Sequence, residues 1–141
     1  MTGMDLKLSH CFITVDDHEK ALAFYRDVLG LDVRTDVAFE GMRWVTVGPA
    51  AQPELEITIE TPNENPDASP TDRQALAELM AKGMLRGLIF RTADCDAAFE
   101  HIRASGAEVL QEPIDQPYGV RDCAFRDPAG NMIRFNQPRG R

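Results

Sequence analysis

His10 and a strand of alternating carboxylates are the features of this 141-residue sequence best suited to chemistry. His10 stands near the start of a segment that alternates apolar and polar residues. Glu54, Glu56 and Glu60 fall on one face of a second such segment, since alternate residues of a strand point the same way. An imidazole and a carboxylate can act as acid and base if both reach one substrate proton. Two other interpretations stay open: a hydrogen-bonded structural histidine, and carboxylates on a solvated strand edge.

The remaining histidines and the cysteines do not form a recognisable metal or redox motif. Cys11, Cys95 and Cys123 are odd in number and widely spaced, unlike any CxxC pair. Each is therefore predicted to pack as a small apolar residue in or near the core. His18 begins a predicted helix and His101 lies within another, so both are expected at the surface.

Charge and hydropathy exclude several classes of partner. The formal net charge of −8 opposes nucleic-acid binding, which depends largely on Lys and Arg neutralising phosphates. No apolar run approaches the roughly 20 residues that cross a bilayer, and residues 1–7 lack the pattern of a secretion signal. The sequence predicts one globular domain over residues 1–141, located in the cytoplasm, with neither a nucleic-acid nor a membrane partner.

The second half of the chain repeats the first. Three pairs of matching residues give the offset: Phe12 and Phe90 as well as Gly41 and Gly119 at 78 residues, and Gly30 and Gly106 at 76. A period near half the chain length indicates a duplicated module, because a solenoid needs three or more shorter repeats. We expect function at the place where the two halves meet.

Both halves predict the order β-α-β-β-β, which makes the fold class α+β. In module one (residues 6–61) we predict strands at 9–15, 31–38, 42–47 and 54–60 and a helix from an N-cap at Asp16 and Asp17 to Gly30. A linker (62–85) with a short helix capped by Asp72 follows. In module two (86–137) we predict strands at 86–92, 107–110, 121–126 and 132–137, a helix from Asp94 to Gly106, and a long loop at 111–119.

Several segments resemble the vicinal oxygen chelate superfamily: SHCFITVDD, ALAFYRDVLGLDV and FRDPAGNMIRF. That superfamily includes glyoxalase I, extradiol dioxygenases, fosfomycin-inactivating thiol transferases, methylmalonyl-CoA epimerase and the bleomycin-resistance binding proteins. More narrowly, GMRWVTVGP, PELEI, GLIFRTADC and QPYGVRD resemble uncharacterised bacterial glyoxalase-like proteins. The resemblance covers nearly the whole chain and implies two modules that curl into an open mixed sheet around a ligand cleft.

The resemblance also implies where a metal would bind. In metal-dependent members the ligands come from the first and last strands of each module, which here gives His10 and Glu56, and the offset of 78 gives Leu88 and Arg134. Leucine has no donor atom, and a guanidinium repels a divalent cation. Because catalytic zinc generally keeps three protein ligands, we expect these positions to be vestigial and no metal to be bound. The alternative is a Zn, Ni, Fe or Mn ion held by His10 and Glu56.

Arg134 has two possible uses if the metal is absent. It is predicted to reach Glu56 as a charge-assisted pair that replaces the ion, or it holds an anionic group of a ligand. His10 and Glu56 remain the candidates for catalysis.

Six residues are candidates for contact with a ligand: Phe12, Trp44, Phe90, Tyr118, Asp122 and Arg134. If Val45 and Val47 face the helix, strand parity turns Trp44 toward the cleft, and the repeat does the same for Asp122. The same reasoning puts Phe12 and Phe90 on the faces of His10 and Leu88. Tyr118 lies in a proline-flanked loop, where residues often carry function. The alternative for Trp44 and the phenylalanines is core filling.

Two function classes follow from these residues. The favoured one is a binding protein of the bleomycin-resistance type, which sequesters a small organic ligand without a metal and without chemistry. The alternative is a metal-dependent enzyme: a glyoxalase I-like lyase, an isomerase, a thiol transferase or an extradiol dioxygenase. The acidic strand suits a cationic ligand. The resemblance further implies a homodimer, with the cleft built either within one chain or across two.

Overall fold

Two four-stranded mixed sheets form the framework of the computed structural model, which describes residues 3–139. The first module contains β1 (His10–Thr14), α1 (His18–Leu22) with a π-helical continuation (Ala23–Val28), β2 (Asp32–Phe39), β3 (Met42–Gly48) and β4 (Glu56–Glu60). A 3-10 turn (Pro62–Glu64) and α2 (Pro70–Ala81) connect it to the second. The second module contains β5 (Leu88–Arg91), α3 (Cys95–Ala104), β6 (Val109–Asp115), β7 (Val120–Arg126) and β8 (Met132–Pro138).

The strand orders are β1-β4-β3-β2 and β5-β8-β7-β6. In each sheet the first strand of the module runs parallel to the last, and the other neighbours are antiparallel. This arrangement confirms the predicted α+β fold of two tandem β-α-β-β-β modules. No helix among residues 3–139 combines the length and the apolar character needed to cross a membrane.

The two module helices begin at equivalent aspartates, because a carboxylate accepts one of the free amides of a first helical turn. Asp17 accepts from the Lys20 amide and Asp94 from the Ala97 amide, both at 3.0 Å. These caps are 77 residues apart, one fewer than the offset of 78 predicted for the first strands. Asp17, and not Asp16, is therefore the residue that matches Asp94.

The core lies between the sheets and the module helices. On the central strands the predicted parity is confirmed: Val45 and Val47 are fully buried against the helix side. Cys95 and Cys123 are buried and Cys11 is half-buried, as predicted, and burial raises the pKa of Cys123 to about 12.

A hydrogen-bond network ties the helix of module one to the last hairpin of module two. The buried Tyr25 hydroxyl donates to Asp127 Oδ2 at 2.6 Å. Asp127 Oδ1 accepts from the amides of Ala129 and Asn131, both at 2.9 Å, which fixes the Asp-Pro-Ala-Gly-Asn turn. Asn131 Nδ2 in turn donates to the Thr14 carbonyl at 2.7 Å. The two sequence segments that mark the fold thus hold the modules together.

Three local predictions are wrong. Helix α2 is capped by Ser69, and Asp72 completes the capping box from within the helix. The region 111–119 is not all loop, because β6 continues to Asp115 through Pro113. Proline is tolerated there since β6 is the end strand of its sheet and its pairing is irregular. His18 is not at the surface: its side chain is 12% exposed, and its Nε2 lies 3.1 Å from Glu64 Oε1.

Candidate functional site

The side of the first sheet opposite its helix carries four of the eight candidate residues, His10, Phe12, Trp44 and Glu56. We call this surface face one, and it comprises His10, Phe12, Thr35, Val37, Phe39, Met42, Trp44, Thr46, Glu56, Thr58 and Glu60. The strand register sets their order: His10 pairs with Glu56, Phe12 with Thr58, and Val37 with Trp44. Directly paired residues share a face of the sheet, so these side chains are neighbours.

His10 and Glu56 form a polar pair at one end of face one. His10 Nε2 lies 3.5 Å from Glu56 Oε2, and His10 Nδ1 is hydrogen-bonded to Ser9 Oγ at 2.9 Å. The buried Thr46 hydroxyl donates to Glu56 Oε1 at 2.7 Å. Strand pairing brings the two predicted residues together, and Thr46 fixes the carboxylate.

The other end of face one is a shallow apolar pocket with carboxylates at its edge. Its volume is about 210 Å³, and the residues that line it are Val37, Phe39, Met42, Arg43, Trp44, Ile59, Glu60 and Glu64. Trp44 is 44% exposed, so it is not core filling. Burial raises the pKa of Glu60, and the nearby charge of Glu64 raises it further.

The corresponding side of the second sheet, here called face two, is organised around Asp122. This carboxylate is 1% exposed and accepts from Gln111 Nε2 at 2.8 Å and from Gln116 Nε2 at 2.9 Å. Arg134 Nη1 lies 3.2 Å from Asp122 Oδ2 and donates to Gln111 Oε1 at 3.0 Å. The hydroxyl of the exposed Tyr118 lies 3.5 Å from Asp122 Oδ2.

The partners of Asp122 determine its ionisation. Burial by itself raises the pKa of a carboxylate, but donors and cations lower it. At Asp122 the hydrogen bonds from Gln111 and Gln116 and the charge of Arg134 outweigh burial, so the pKa lies below its ordinary value. Face two therefore presents an ionised carboxylate already paired with a guanidinium.

Arg134 does not reach Glu56, so the predicted substitution of an arginine for a metal ion is wrong. Its hydrogen bond and ion pair are with Gln111 and Asp122 of its own module. The polar contacts of Glu56 among residues 3–139 likewise stay within module one. The two halves of the predicted pair lie on different faces, and strand parity alone could not reveal this.

Phe90 and Leu88 are also misplaced by the prediction. Both are half-buried and pack against the core, and Phe90 stacks on Phe135 with ring centroids 5.7 Å apart. The true counterpart of Phe12 is Ile89, which is 62% exposed. A slip of one residue moves every side chain of a strand to the opposite face, and the first strands of the two modules differ by such a slip.

Equivalent hydrogen bonds establish the correct alignment. The Val15 amide donates to the Glu60 carbonyl, and the Thr92 amide donates to the Asn136 carbonyl, both at 2.8 Å. Counting back along the strands makes Gly87 the counterpart of His10, and Met132 the counterpart of Glu56. The predicted counterparts, Leu88 and Arg134, are therefore wrong.

The corrected positions do not fit a metal ion. A Cβ at Gly87 would collide with the carbonyl oxygen of Met132, so the backbone leaves no room for a side chain there. The thioether of Met132 is a poor ligand for the harder divalent ions. Among residues 3–139 no three His, Cys, Asp or Glu side chains are grouped as metal ligands. His10 and Glu56 alone fall short of the three protein ligands of a catalytic zinc site.

The sequence matches a known family over most of its length. The profile of the Glyoxalase/Bleomycin resistance protein/Dioxygenase superfamily matches residues 7–135. The chain belongs to this superfamily. The resemblance found in the sequence segments is therefore confirmed, and the two β-α-β-β-β modules are its characteristic fold.

Three proteins are similar to this chain over nearly its whole length. The uncharacterized protein YurT of Bacillus subtilis (strain 168) is 30% identical over 94% of this chain and 99% of its own. The crystal structure of UcmS2 superposes with a TM-score of 0.86 and 34% identity, covering 94% of this chain and 98% of that one. TnmS3, an antibiotic binding protein from Streptomyces sp. CB03234, gives a TM-score of 0.74 and 31% identity over 96% and 99%.

Sequence reasoning missed three residues, Gln111 and Gln116 on face two and Thr58 on face one. The sequence predicts a loop at Gln111, whereas Gln111 lies on β6 and contacts both Asp122 and Arg134. Gln116 and the buried Thr58 were also not singled out. Thr58 was recoverable from parity, because it stands between Glu56 and Glu60 on the same strand.

Proposed function

We propose that this superfamily member binds a small organic ligand between face one and face two. Binding needs no resident metal, and the ligand is not chemically changed. The observation that carries the proposal is the make-up of face one. Large apolar side chains that would normally be buried, Phe12 at 58% exposure and Trp44 at 44%, surround polar groups held in fixed positions. Concave, mostly apolar surfaces with a few oriented polar groups are typical of sites for small organic molecules.

Face two supplies the complementary groups. Ile89 and Tyr118 are exposed there. The hydrogen bond and ion pair of Arg134 among residues 3–139 use only Nη1. Its other N–H groups can therefore donate to a ligand, in keeping with the second use predicted for this arginine.

We infer a homodimer from the way the two modules of one chain are joined. Side-chain contacts between the modules, such as Tyr25 with Asp127 and Asn131 with Thr14, lie on the helix side of the sheets. Strands β1 and β5 each end a sheet, and exposed apolar side chains continue from Phe12 into the segment before β1. We propose that a second copy lays its face two against face one and so completes two equivalent sites.

One relative supports sequestration over catalysis. TnmS3, at 31% identity over nearly the whole of both chains, is an antibiotic binding protein. The donor set on face one is too small for the metal on which the alternative enzyme activities depend. We therefore propose a role in binding an antibiotic or a metabolite of similar size.

Thermal-shift and fluorescence titrations with aromatic antibiotics, run with EDTA and with added Zn²⁺, Ni²⁺ or Mn²⁺, test this function. Trp44 is the only tryptophan, so its emission reports binding at face one. We expect at least one compound to raise Tm in EDTA and to be recovered unchanged by mass spectrometry after incubation. Stabilisation only with metal, or recovery of an altered compound, would favour the enzyme interpretation. A Phe12→Ser variant should weaken binding, whereas a Leu79→Ser variant on α2 should not.

A further inference from the structure

The apolar pocket around Trp44 contains a carboxylate that lacks a partner. Glu60 stands beside Trp44, one position beyond the paired residues Val45 and Ile59. It is half-buried, and its carboxylate makes no hydrogen bond or ion pair within residues 3–139. A carboxylate that is partly desolvated and unpaired is unfavourable unless a cation or a donor compensates it.

The neighbouring charges do not fill this role. Glu64 is held by the amides of Arg43 and Thr61 and by the His18 ring. Arg43 is one of the residues that line the pocket, but Asp36 and Glu19 hold its guanidinium at 2.8 and 2.6 Å. Glu64 therefore adds negative potential, and the guanidinium of Arg43 is already paired.

Thr58 is a second, independent sign of a ligand on the same strand. It is 1% exposed, and its hydroxyl oxygen has no hydrogen-bond partner among the residues the structure describes. Its position between Glu56 and Glu60 puts it on face one, away from the core-facing Ile57 and Ile59. Buried hydroxyls are normally satisfied, so an orphaned one on a binding face indicates a missing partner.

We propose that this pocket receives a protonated amine carried by an aromatic ligand, with Glu60 as counter-ion and Trp44 as the ring beneath the cation. Ammonium groups are attracted to the face of tryptophan as well as to carboxylates. Met42 and Val37 line the pocket and contact the apolar body of the ligand. Thr58 is not one of the residues that line the pocket; it lies two residues before Glu60 on β4 and accepts a hydrogen bond from an N–H elsewhere on the ligand. This inference rests on the proposed function, since it specifies the ligand class for face one.

Two probes of nearly equal shape, and a third of opposite charge, isolate the contribution of the ligand's charge to binding. 2-Phenylethylamine is protonated at pH 7, and 2-phenylethanol replaces its ammonium by a hydroxyl; 3-phenylpropanoate carries the opposite charge. Titrations are followed by the emission of Trp44, the only tryptophan. We expect the amine to bind with a Kd about tenfold lower than that of the alcohol, which corresponds to about 1.4 kcal/mol, and the anion to bind more weakly than either.

Three substitutions test the role of Glu60, and two of them, Glu60→Gln and Glu54→Gln, remove the same charge. Glu60→Gln should abolish the preference for the amine, and Glu60→Asp should keep part of it. Glu54→Gln, an exposed position on the same segment, should leave the preference intact. Equal Kd values for the amine and the alcohol, equal effects of the two glutamine variants, or the absence of a saturable response to the amine would each overturn the proposal.

The experiments distinguish a failure of the amine pocket from a failure of the proposed function. If an antibiotic that carries a protonated amine binds in EDTA and Glu60→Gln does not alter its affinity, the function stands and the amine pocket is wrong. If no antibiotic binds but the amine preference depends on Glu60, the pocket stands and the proposed function fails.

Discussion

The carboxylate of Asp122 and the guanidinium of Arg134 lie 3.2 Å apart on face two. Asp122 is 1% exposed and Arg134 is partly exposed, so the pair joins the interior of the sheet to the binding surface. A buried carboxylate with a cation and two amide donors holds the arginine in one position. Face two is thus ordered before any ligand arrives.

Replacing Asp122 by asparagine should lower the free energy of unfolding at pH 7 by about 1–3 kcal/mol, because its donors lose a charged acceptor. The exposed Asp96, which pairs with Arg121, provides a control. Asp96→Asn should cost no more than about 1 kcal/mol, as is usual for surface ion pairs. Urea unfolding measures both. Equal losses would contradict the proposed importance of the buried pair.

The lowered pKa of Asp122 also predicts how its contribution to folding stability depends on pH. The pKa of Asp122 is lowered in the folded state, so its contribution to stability is fully present above the unfolded pKa of about 3.9. It is lost as the pH falls below that value toward the folded pKa. The difference in stability between the wild type and Asp122→Asn should therefore be constant from pH 7 to 5 and shrink below pH 4. A difference that grew on acidification would have the wrong sign.

The Tyr25 hydroxyl should be essential for the attachment of one module to the other. Tyr25→Phe leaves the buried Asp127 carboxylate without its donor at 2.6 Å, which should destabilise the fold by about 1.5–3 kcal/mol. Tyr118→Phe, which removes a hydroxyl from an exposed ring, should change stability by less than about 0.5 kcal/mol. Thermal and urea unfolding of both variants test the contrast, and similar small losses would show that the network is dispensable.

Sequence patterns predicted this fold well because cap, turn and strand signals occur twice. They predicted the faces of Trp44 and Asp122 correctly, since β3 and β7 do match at an offset of 78. They failed at Phe90 because two identical phenylalanines suggested an alignment that the helix caps contradict. The separation of Asp17 and Asp94, at 77, was the better guide.

The network around Asp122 could not be predicted in the same way. It depends on Gln111, which reaches Asp122 because β6 is irregular and pairs across two register shifts. A strand that contains proline gives no regular alternation from which to assign faces. Contacts between side chains on an irregular strand require the structure.

Thr58 should be a position where function has been retained at the expense of stability. Thr58→Val removes a buried hydroxyl that has no partner among residues 3–139. The free energy of unfolding should stay constant or rise by up to about 1 kcal/mol, since an unsatisfied polar group is costly to bury. Thr46→Val, which removes the donor to Glu56 at 2.7 Å, should instead destabilise. A loss of stability in Thr58→Val equal to that in Thr46→Val would show that the hydroxyl is already satisfied.

Ile89 should lie in the interface of the proposed homodimer. It is 62% exposed on the end strand β5 and corresponds to Phe12 on β1. Ile89→Asp would bury an unpaired carboxylate in that interface, at a cost of several kcal/mol, and should weaken dimerisation by about 100-fold or more while leaving the monomer folded. Leu79→Asp, at an exposed site of 41% on α2, should leave the dimer intact. Light scattering and sedimentation at micromolar concentration distinguish these results, and a monomeric wild type would rule out a site shared between two chains.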